Sequence, residues 1–488
     1  MNNILIMLLV IPLVMGLVSM LLRGREKTKL CKVLTLISCI LTFAFSVMTF
    51  FAGDLTLHIW QITENIPFDL ALDDLSRIFV LLFNFIWLIV CIYSFEYLEE
   101  DKKQERFFGY YLLSLFTLNG IAMSSNIMTF YVFFESMTLV AFPLIIHNET
   151  DEAREGAFKY LFYSVAGAFI ALGGIFLLVL KDVPMEFKAG GVGAFGSDTM
   201  TLVATMLILV GFGTKAGLFP MHAWLPIAHP VAPAPASAVM SGIITKTGVL
   251  AIIRIIFYYV GVDNLKGTWV QYSFMVLTLI TVFMGSMLAY KEKIFKKRLA
   301  YSTVSQVSYV LFGLSLMNPL GFTGAILHVL FHSLIKNTLF MSAGAVIHKT
   351  EKTEVKDLKG MGYAMPVTMW CFTIAGIALV GIPPLNAFLS KWFLMQGALS
   401  SGMSDTLRYG GPAVLLVSAL LTAGYLVTIS LRAFFVPEEE YRLPKNEAGF
   451  EMKFSQIVLT VLIVALGVYC TPLVNYINNI ATTIMGGM

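Results

Sequence analysis

The apolar positions of this chain come in long unbroken runs, without the strict alternation of half-buried strands or the 3.6-residue spacing of surface helices. Runs of roughly 20 residues, the length an α-helix needs to cross a bilayer, recur from Ile4–Leu22 to the C-terminal region. About fourteen such spans are predicted, near 4–22, 33–52, 75–95, 107–124, 126–147, 159–180, 200–219, 231–260, 269–290, 300–316, 322–347, 366–395, 411–436 and 454–478. Helices are expected throughout, because a backbone amide in lipid can bond only to other protein groups. No basic segment precedes the first run and no small-residue cleavage site follows it, so it reads as a retained helix.

Composition sharpens this to an all-α polytopic membrane protein. Residues are 58% hydrophobic and only 13% charged, against about 25% charged in soluble domains. A net charge of +3 supplies no surface for nucleic acid. Cys31, Cys39, Cys91, Cys371 and Cys470 follow no CxxC or Cys/His ligand spacing and are read as packing residues. There is no nucleotide-binding loop and no flavin or nicotinamide fingerprint. No catalytic, cofactor or metal site is therefore assigned to this chain.

Basic residues give the orientation. Most of the 33 Lys and Arg fall after odd-numbered spans, in Arg23–Lys32, Lys102–Arg106, Arg154 with Lys159, Lys291–Arg298, Lys349–Lys359 and Arg432–Lys453. Even-numbered loops hold Lys181, Lys188, Lys266 and Arg408, with Arg77 just inside the third span. By the positive-inside rule the odd loops are cytoplasmic and both termini lie outside.

The remaining bases sit at membrane depth: Lys215, Lys246, Arg254, Lys336 and Lys391, with Glu135 as the one clear acid. Each ionisable group there costs roughly 2.5–3.5 kcal/mol on insertion scales, so a partner, cavity or ion path is expected around it. Arg254 lies near a helix end and is expected to snorkel to the interface. His328, His332 and Lys336 stand four residues apart and share one helix face. Imidazole titrates near neutrality, which favours a proton path over a merely structural stripe. One deep acid cannot neutralise several deep bases, and an unpaired desolvated amine exchanges its proton readily.

Breaks in the apolar runs point the same way. Lys215 lies five residues before Pro220 in the seventh span, and Lys391 seven residues after Pro384 of the Pro383–Pro384 pair in the twelfth. Corresponding broken helices in two halves are the sequence sign of inverted repeats around a midplane ion site. The expected division is an N-terminal three-helix segment 1–106, five-helix repeats 107–260 and 261–436, and a C-terminal loop and helix 437–488.

The run GFGTKAGLFPMHAWLPIAHPVAPAPASAVMSGIITKTG, with KRLAYSTVSQVSYVLFGL, HVLFHSLIKNTLF and GIPPLNAFLSKW, resembles the antiporter-like proton-pumping subunits. That family is shared by respiratory complex I, membrane-bound and formate-linked hydrogenases and Mrp-type sodium/proton antiporters, and the likeness covers about residues 70–435. It implies fourteen helices with two inverted five-helix repeats and broken seventh and twelfth helices. It also implies roles: Glu135 and Lys215 as a charge pair, Lys246 as the connecting lysine, His328, His332 and Lys336 as the polar line, and Lys391 as the ionisable group of the twelfth helix. Phe134 departs from the Trp common in complex I relatives. At Lys391 the complex I homologue of similar length tends to carry Glu, whereas the D-like Mrp branch carries Lys.

The resulting expectation is a proton-translocating subunit of a redox-driven complex in a prokaryotic cytoplasmic membrane. Its partners would be homologous antiporter-like and small membrane subunits, with a soluble redox arm whose iron–sulfur clusters or other redox centres lie in those partners. The alternatives are a D-like subunit of a non-redox Mrp antiporter and a self-sufficient cation/proton transporter. In the mechanism this suggests, a Glu135–Lys215 pair at about 4 Å, worth on the order of 4 kcal/mol at an effective dielectric near 20, opens to send a proton through Lys246, His328, His332 and Lys336 to Lys391.

Overall fold

A computed structural model describes residues 3–22, 24–63, 66–193, 195–436 and 444–486. Arg23 and Arg442 of the basic loops, residues 437–443 of the C-terminal segment, and the chain ends expected outside all lie beyond the described residues.

The chain forms a helical bundle. Its elements are α1 Asn3–Leu21, α2 Arg25–Met48, the hairpin β1 Leu55–Thr63 and β2 Ile66–Leu72, α3 Asp74–Tyr97, α4 Gln104–Met123, α5 Ile127–Ile145 and α6 Asp151–Val179. There follow α7 Thr199–Ala216, α8 Leu225–Val231, α9 Ala234–Val260, α10 Trp269–Lys291, α11 Phe295–Ser315 and α12 Pro319–Thr350. The last are α13 Pro366–Val380, α14 Asn386–Leu399, α15 Asp405–Phe434, α16 Phe450–Val468 and α17 Thr471–Met485. Among the described residues, eleven helices are long and apolar enough to cross a membrane.

Helix starts follow local chemistry. Asp73, Asn126, Thr150, Asp198 and Asn318 each place a side-chain oxygen on a first-turn amide, at 2.8 to 3.2 Å. Two helices stop inside the bundle, and for the same reason. The chain turns left-handed at Gly217 (φ 76°) after α7 and at Gly381 (φ 94°) after α13, a conformation glycine adopts without a Cβ penalty. Prolines follow both glycines, and the Phe219–Pro220 and Pro383–Pro384 peptides are cis. The two expected breaks are therefore present.

Every residue of α9 is buried, and α12 is buried over most of its 32 residues. These two helices form the axis of the bundle, while α1 and α2 lie at its edge with leucines and valines turned outward. Against α6, α7 packs backbone to backbone. A Cβ on Gly211 would fall 2.5 Å from the Gly167 carbonyl oxygen and 2.5 Å from the Ala171 nitrogen, the small-residue packing by which membrane helices approach closely.

Two expectations need correction. The predicted span 454–478 is two helices: α16 ends at Val468 and α17 restarts at Thr471 after a non-helical Tyr469–Cys470 step. Hydropathy averaging hid this, because α17 is amphipathic, burying Ile477, Ile480 and Ile484 and exposing asparagines and threonines. The antiparallel hairpin β1–β2, pairing Leu55 with Leu72 and Leu57 with Leu70, adds two strands to the expected all-α chain, between the predicted spans 33–52 and 75–95.

At the end of the bundle that carries most of the basic residues, the turn after α5 is tied to the α3–α4 loop. The Glu149 carboxylate bonds both Lys103 and Arg106. The Lys103 bond first, and Arg106 second, hold its carboxyl down at about 2. Because this folded value lies below the unfolded one, the stabilisation is complete above about pH 4.5 and is lost as pH falls toward 2.

In acid titration of the solubilised protein followed by thermal unfolding, Glu149→Gln is expected to remove the component of instability that the parent develops between about pH 4.5 and 2. A Gly211→Val substitution is expected to cost about 1–3 kcal/mol, read as a lowered melting temperature, because neither backbone can withdraw.

Candidate functional site

Four of the ionisable groups singled out from sequence, Lys246, His332, His328 and Lys391, line up along the bundle axis. Lys246 follows a π-helical turn, Met240–Ile244. Its Nζ donates to a carbonyl of that turn, Ser241 O, at 2.7 Å, and lies 3.3 Å from Thr245 Oγ1. The same nitrogen is 2.7 Å from His332 Nδ1. One turn further along α12, the ring of His328 stands 5.9 Å from that of His332.

His328 passes the line to α14. Its Nδ1 is 2.9 Å from Ser390 Oγ. That hydroxyl donates its own proton to Ala387 O, so it accepts from an Nδ1–H and fixes the tautomer. Lys391 is the next residue. Its Nζ donates to Leu379 O at 2.6 Å and Val380 O at 3.0 Å, the last carbonyls of α13, where a helix dipole favours a cation. The Tyr309 ring is shared between the two groups: His328 stacks on it at 5.6 Å, and Lys391 Nζ lies 5.0 Å from its centre. Nε2 of both His328 and His332 is buried without a hydrogen-bond partner.

Lys336 takes a different position from the one expected. It does not stand between His332 and Lys391 but turns to α11, donating to Ser302 Oγ at 2.7 Å and Leu299 O at 3.0 Å. The order along the axis is Lys246, His332, His328, Ser390 and Lys391, with Lys336 a branch toward the basic end. Four-residue spacing placed the three α12 groups on one face but could not say which neighbour each side chain meets.

Glu135 and Lys215 face one another electrostatically but make no ion pair within 4 Å. Lys215, fully buried, donates instead to the carbonyl of Phe134 and lies 3.7 Å from the centre of the Phe134 ring. Glu135 is half-buried, with Thr138 Oγ1 3.5 Å away. The expected contact is thus open in this structure, and its attraction falls below the roughly 4 kcal/mol of a 4 Å pair. A sequence sets which helices carry the two charges, not their rotamers.

Arg254 does not snorkel. It is 3% exposed and clamps Asp73 through two nitrogens at 2.5 and 3.0 Å, with Ser76 Oγ at 2.9 Å and the Tyr258 ring beneath. This pair borders a polar cavity of about 400 Å³, lined also by His58, Asp69 and Glu186, at the end of the bundle opposite the basic loops. Asp73 was missed, because its cap position at the start of α3 masked its second role. Also missed were His229, fully buried, and Lys296, 7% exposed. The first lay within a proline-rich motif, and the second within a basic loop.

Residues 124–416 match the family profile described as NADH:quinone oxidoreductase/Mrp antiporter, TM, and residues 60–108 match the complex I chain 5 N-terminus. The chain belongs to this antiporter family. It is 31% identical to NADH-quinone oxidoreductase subunit N of Desulforudis audaxviator over 421 residues, 83% of this chain and 82% of the relative. It is 31% identical to Na(+)/H(+) antiporter subunit A1 of Staphylococcus aureus over 448 residues, 87% of this chain but about half, 55%, of that longer relative. The fold is that of a chain in the membrane-bound sulfane sulfur reductase, an archaeal respiratory membrane complex, with TM-score 0.88 at 24% identity, covering 98% of this chain and 97% of that one. Membership makes this an antiporter-like, multi-pass membrane subunit, as expected.

Among the described residues no group of three or more His, Cys, Asp or Glu could hold a metal ion.

Replacing Arg254 by Met strands Asp73 and is expected to cost up to about 3 kcal/mol, the low end for buried pairs because Asp73 is 37% exposed. Combining Arg254→Met with Asp73→Asn should recover most of that loss in thermal unfolding, and equal damage from the double variant would show that the pair has no compensating charge to lose.

Proposed function

We propose that this chain moves protons across the membrane along Lys246, His332, His328, Ser390 and Lys391, as a subunit of a larger energy-converting complex. The observation that carries this reading is the 2.7 Å contact of Lys246 with His332, continued through His328 to Ser390 beside Lys391. An amine and two imidazoles in sequence can each take up and release a proton, whereas lysines repel sodium. The Glu135–Lys215 pair is the switch. Closed, it holds the proton on Lys215; open, as found, it leaves Lys215 bonded only to a carbonyl and free to pass the proton on.

The two halves, 107–260 and 261–436, are read as inverted repeats, each holding one helix stopped by a left-handed glycine. Loops rich in Lys and Arg lie on the cytoplasmic side, which sets both termini outside, and the prokaryotic relatives favour a cytoplasmic membrane. Partners are homologous antiporter-like and small membrane subunits. The energy source is a soluble redox arm carrying iron–sulfur or other centres, in keeping with the similarity to a complex I subunit over most of both chains. The second reading, a D-like subunit of an Mrp antiporter, is favoured by lysine at position 391 and by the similarity to an antiporter subunit over 87% of this chain. Mass spectrometry of the gently solubilised complex separates the two: a redox-centre subunit supports the first, and membrane subunits alone support the second.

In proteoliposomes containing the parent complex, Lys246→Ala and Lys391→Ala are expected to abolish proton translocation, and Glu135→Gln to uncouple it, with assembly intact. Undiminished flux in all three variants would reject the scheme.

A further inference from the structure

The α12 face that carries His328, His332 and Lys336 continues at the same four-residue interval to Phe340 and Gly344, about 6 Å per step. At Phe340 the ladder has no titratable side chain of its own. A neighbouring helix supplies one: the His229 ring of α8 stacks on Phe340 with centroids 4.8 Å apart and planes 25° apart. His229 is fully buried, and both its ring nitrogens lack any hydrogen-bond partner. Buried polar groups are almost always paired, so an imidazole with two free nitrogens calls for an explanation.

Next to it a cleft of about 170 Å³ runs in from the basic end, lined by Asn148, Pro230, Ala232, Lys296, Gly344 and Thr353. It is large enough for several waters. Its floor, Gly344, is the rung that follows Phe340. Lys296 stands in its wall, donating to Ala232 O at 2.5 Å and Pro230 O at 3.2 Å at the carbonyl end of α8. The charged groups acting on His229 come from three helices: Lys296 of α11, Lys336 of α12 and Lys246 of α9, with no carboxylate among them. His229 is the residue before Pro230 of the cleft wall, and it stacks on Phe340, one turn of α12 from Gly344 of the cleft on one side and from Lys336 on the other.

We propose that protons enter the buried line through this cleft and that His229 relays them from cleft water to Lys336. This rests on the translocation reading above. In the step, one ring nitrogen takes a proton from a water in the cleft while the other gives its proton, through an intervening water, to the neutral amine of Lys336. An O–H bond of the cleft water and the ring N–H break as one N–H forms on the ring and one on the amine; the cleft water regains its proton from the bulk, with no change of oxidation state. Ring rotation resets the tautomer. Lys336, which contacts neither His332 nor Lys391, gains a role as the receiving group on the input side, and Lys296 is a positioning residue that fixes the Pro230–Ala232 wall.

The test is proton flux into proteoliposomes containing the parent complex, driven by a potassium–valinomycin potential and followed with an internal pH dye. His229→Phe keeps the ring stack and should slow flux at least tenfold. His229→Ala should do the same and be restored by imidazole supplied on the cleft side, but not on the other, a rescue that a purely structural role would not give. Asn148→Trp, at the exposed mouth, should slow flux several-fold without touching His229, so the idea stays testable if the His229 variants fail to assemble. Should Lys246→Ala abolish flux while His229→Phe and Asn148→Trp run at the parent rate, protons take another way in and the inference is wrong. Unchanged flux in Lys246→Ala would instead sink the translocation reading beneath it.

Discussion

The buried ammonium groups of this protein are held by main-chain carbonyls and not by carboxylates. Lys215 bonds Phe134 O, Lys246 bonds Ser241 O, Lys296 bonds Pro230 O and Ala232 O, Lys336 bonds Leu299 O, and Lys391 bonds Leu379 O and Val380 O. The choice of partner has a physical consequence. If a lysine paired to a carboxylate loses its proton, it strands a buried anion at high cost; if it is bonded to a neutral carbonyl, it leaves only a dipole with one partner fewer. Carbonyl partners thus hold the amines in place while leaving the proton mobile.

Such carbonyls are scarce in a membrane helix, since each normally accepts from the amide four residues on. Interrupted helices supply them for two of these lysines, Lys391 at the end of α13 before Gly381 and Lys296 at the end of α8, whereas Phe134 O and Leu299 O lie within continuous helices and Ser241 O within the π-helical turn of α9. The two halves of the chain use the device differently. Lys215 stands before the break in its helix, in the last turn of α7, whereas Lys391 stands after the break, on α14, and reaches back to the carbonyls of α13. Matching interruptions therefore place the two lysines on opposite sides of the gap.

Hydropathy and punctuation made most of the bundle legible in the amino-acid sequence. Apolar runs located the spans, and Gly and Pro located both breaks, because these depend on local backbone chemistry. The four-residue spacing of His328, His332 and Lys336 put them on one face for the same reason. What the sequence did not carry was long-range: that Lys336 turns to Ser302, that Asp73 waits for Arg254 across 181 positions, and that His229 fills the rung at Phe340. Each depends on which helices become neighbours and on side-chain rotamers within them. The amphipathic α17 was lost for a local reason, its asparagines and threonines being uncharged and so nearly silent in a hydropathy average.

The backbone contact between α6 and α7 at Gly167 and Gly211 constrains how the charge switch can work. Two main chains already touching cannot slide or roll past each other without first parting, so the base of Lys215 is locked to α6 like a rivet. Variation in the gap to Glu135 then falls to the carboxylate, whose half-exposed side chain retains rotamer freedom on α5. The moving part is a few bonds long, and the scaffold around it stays still.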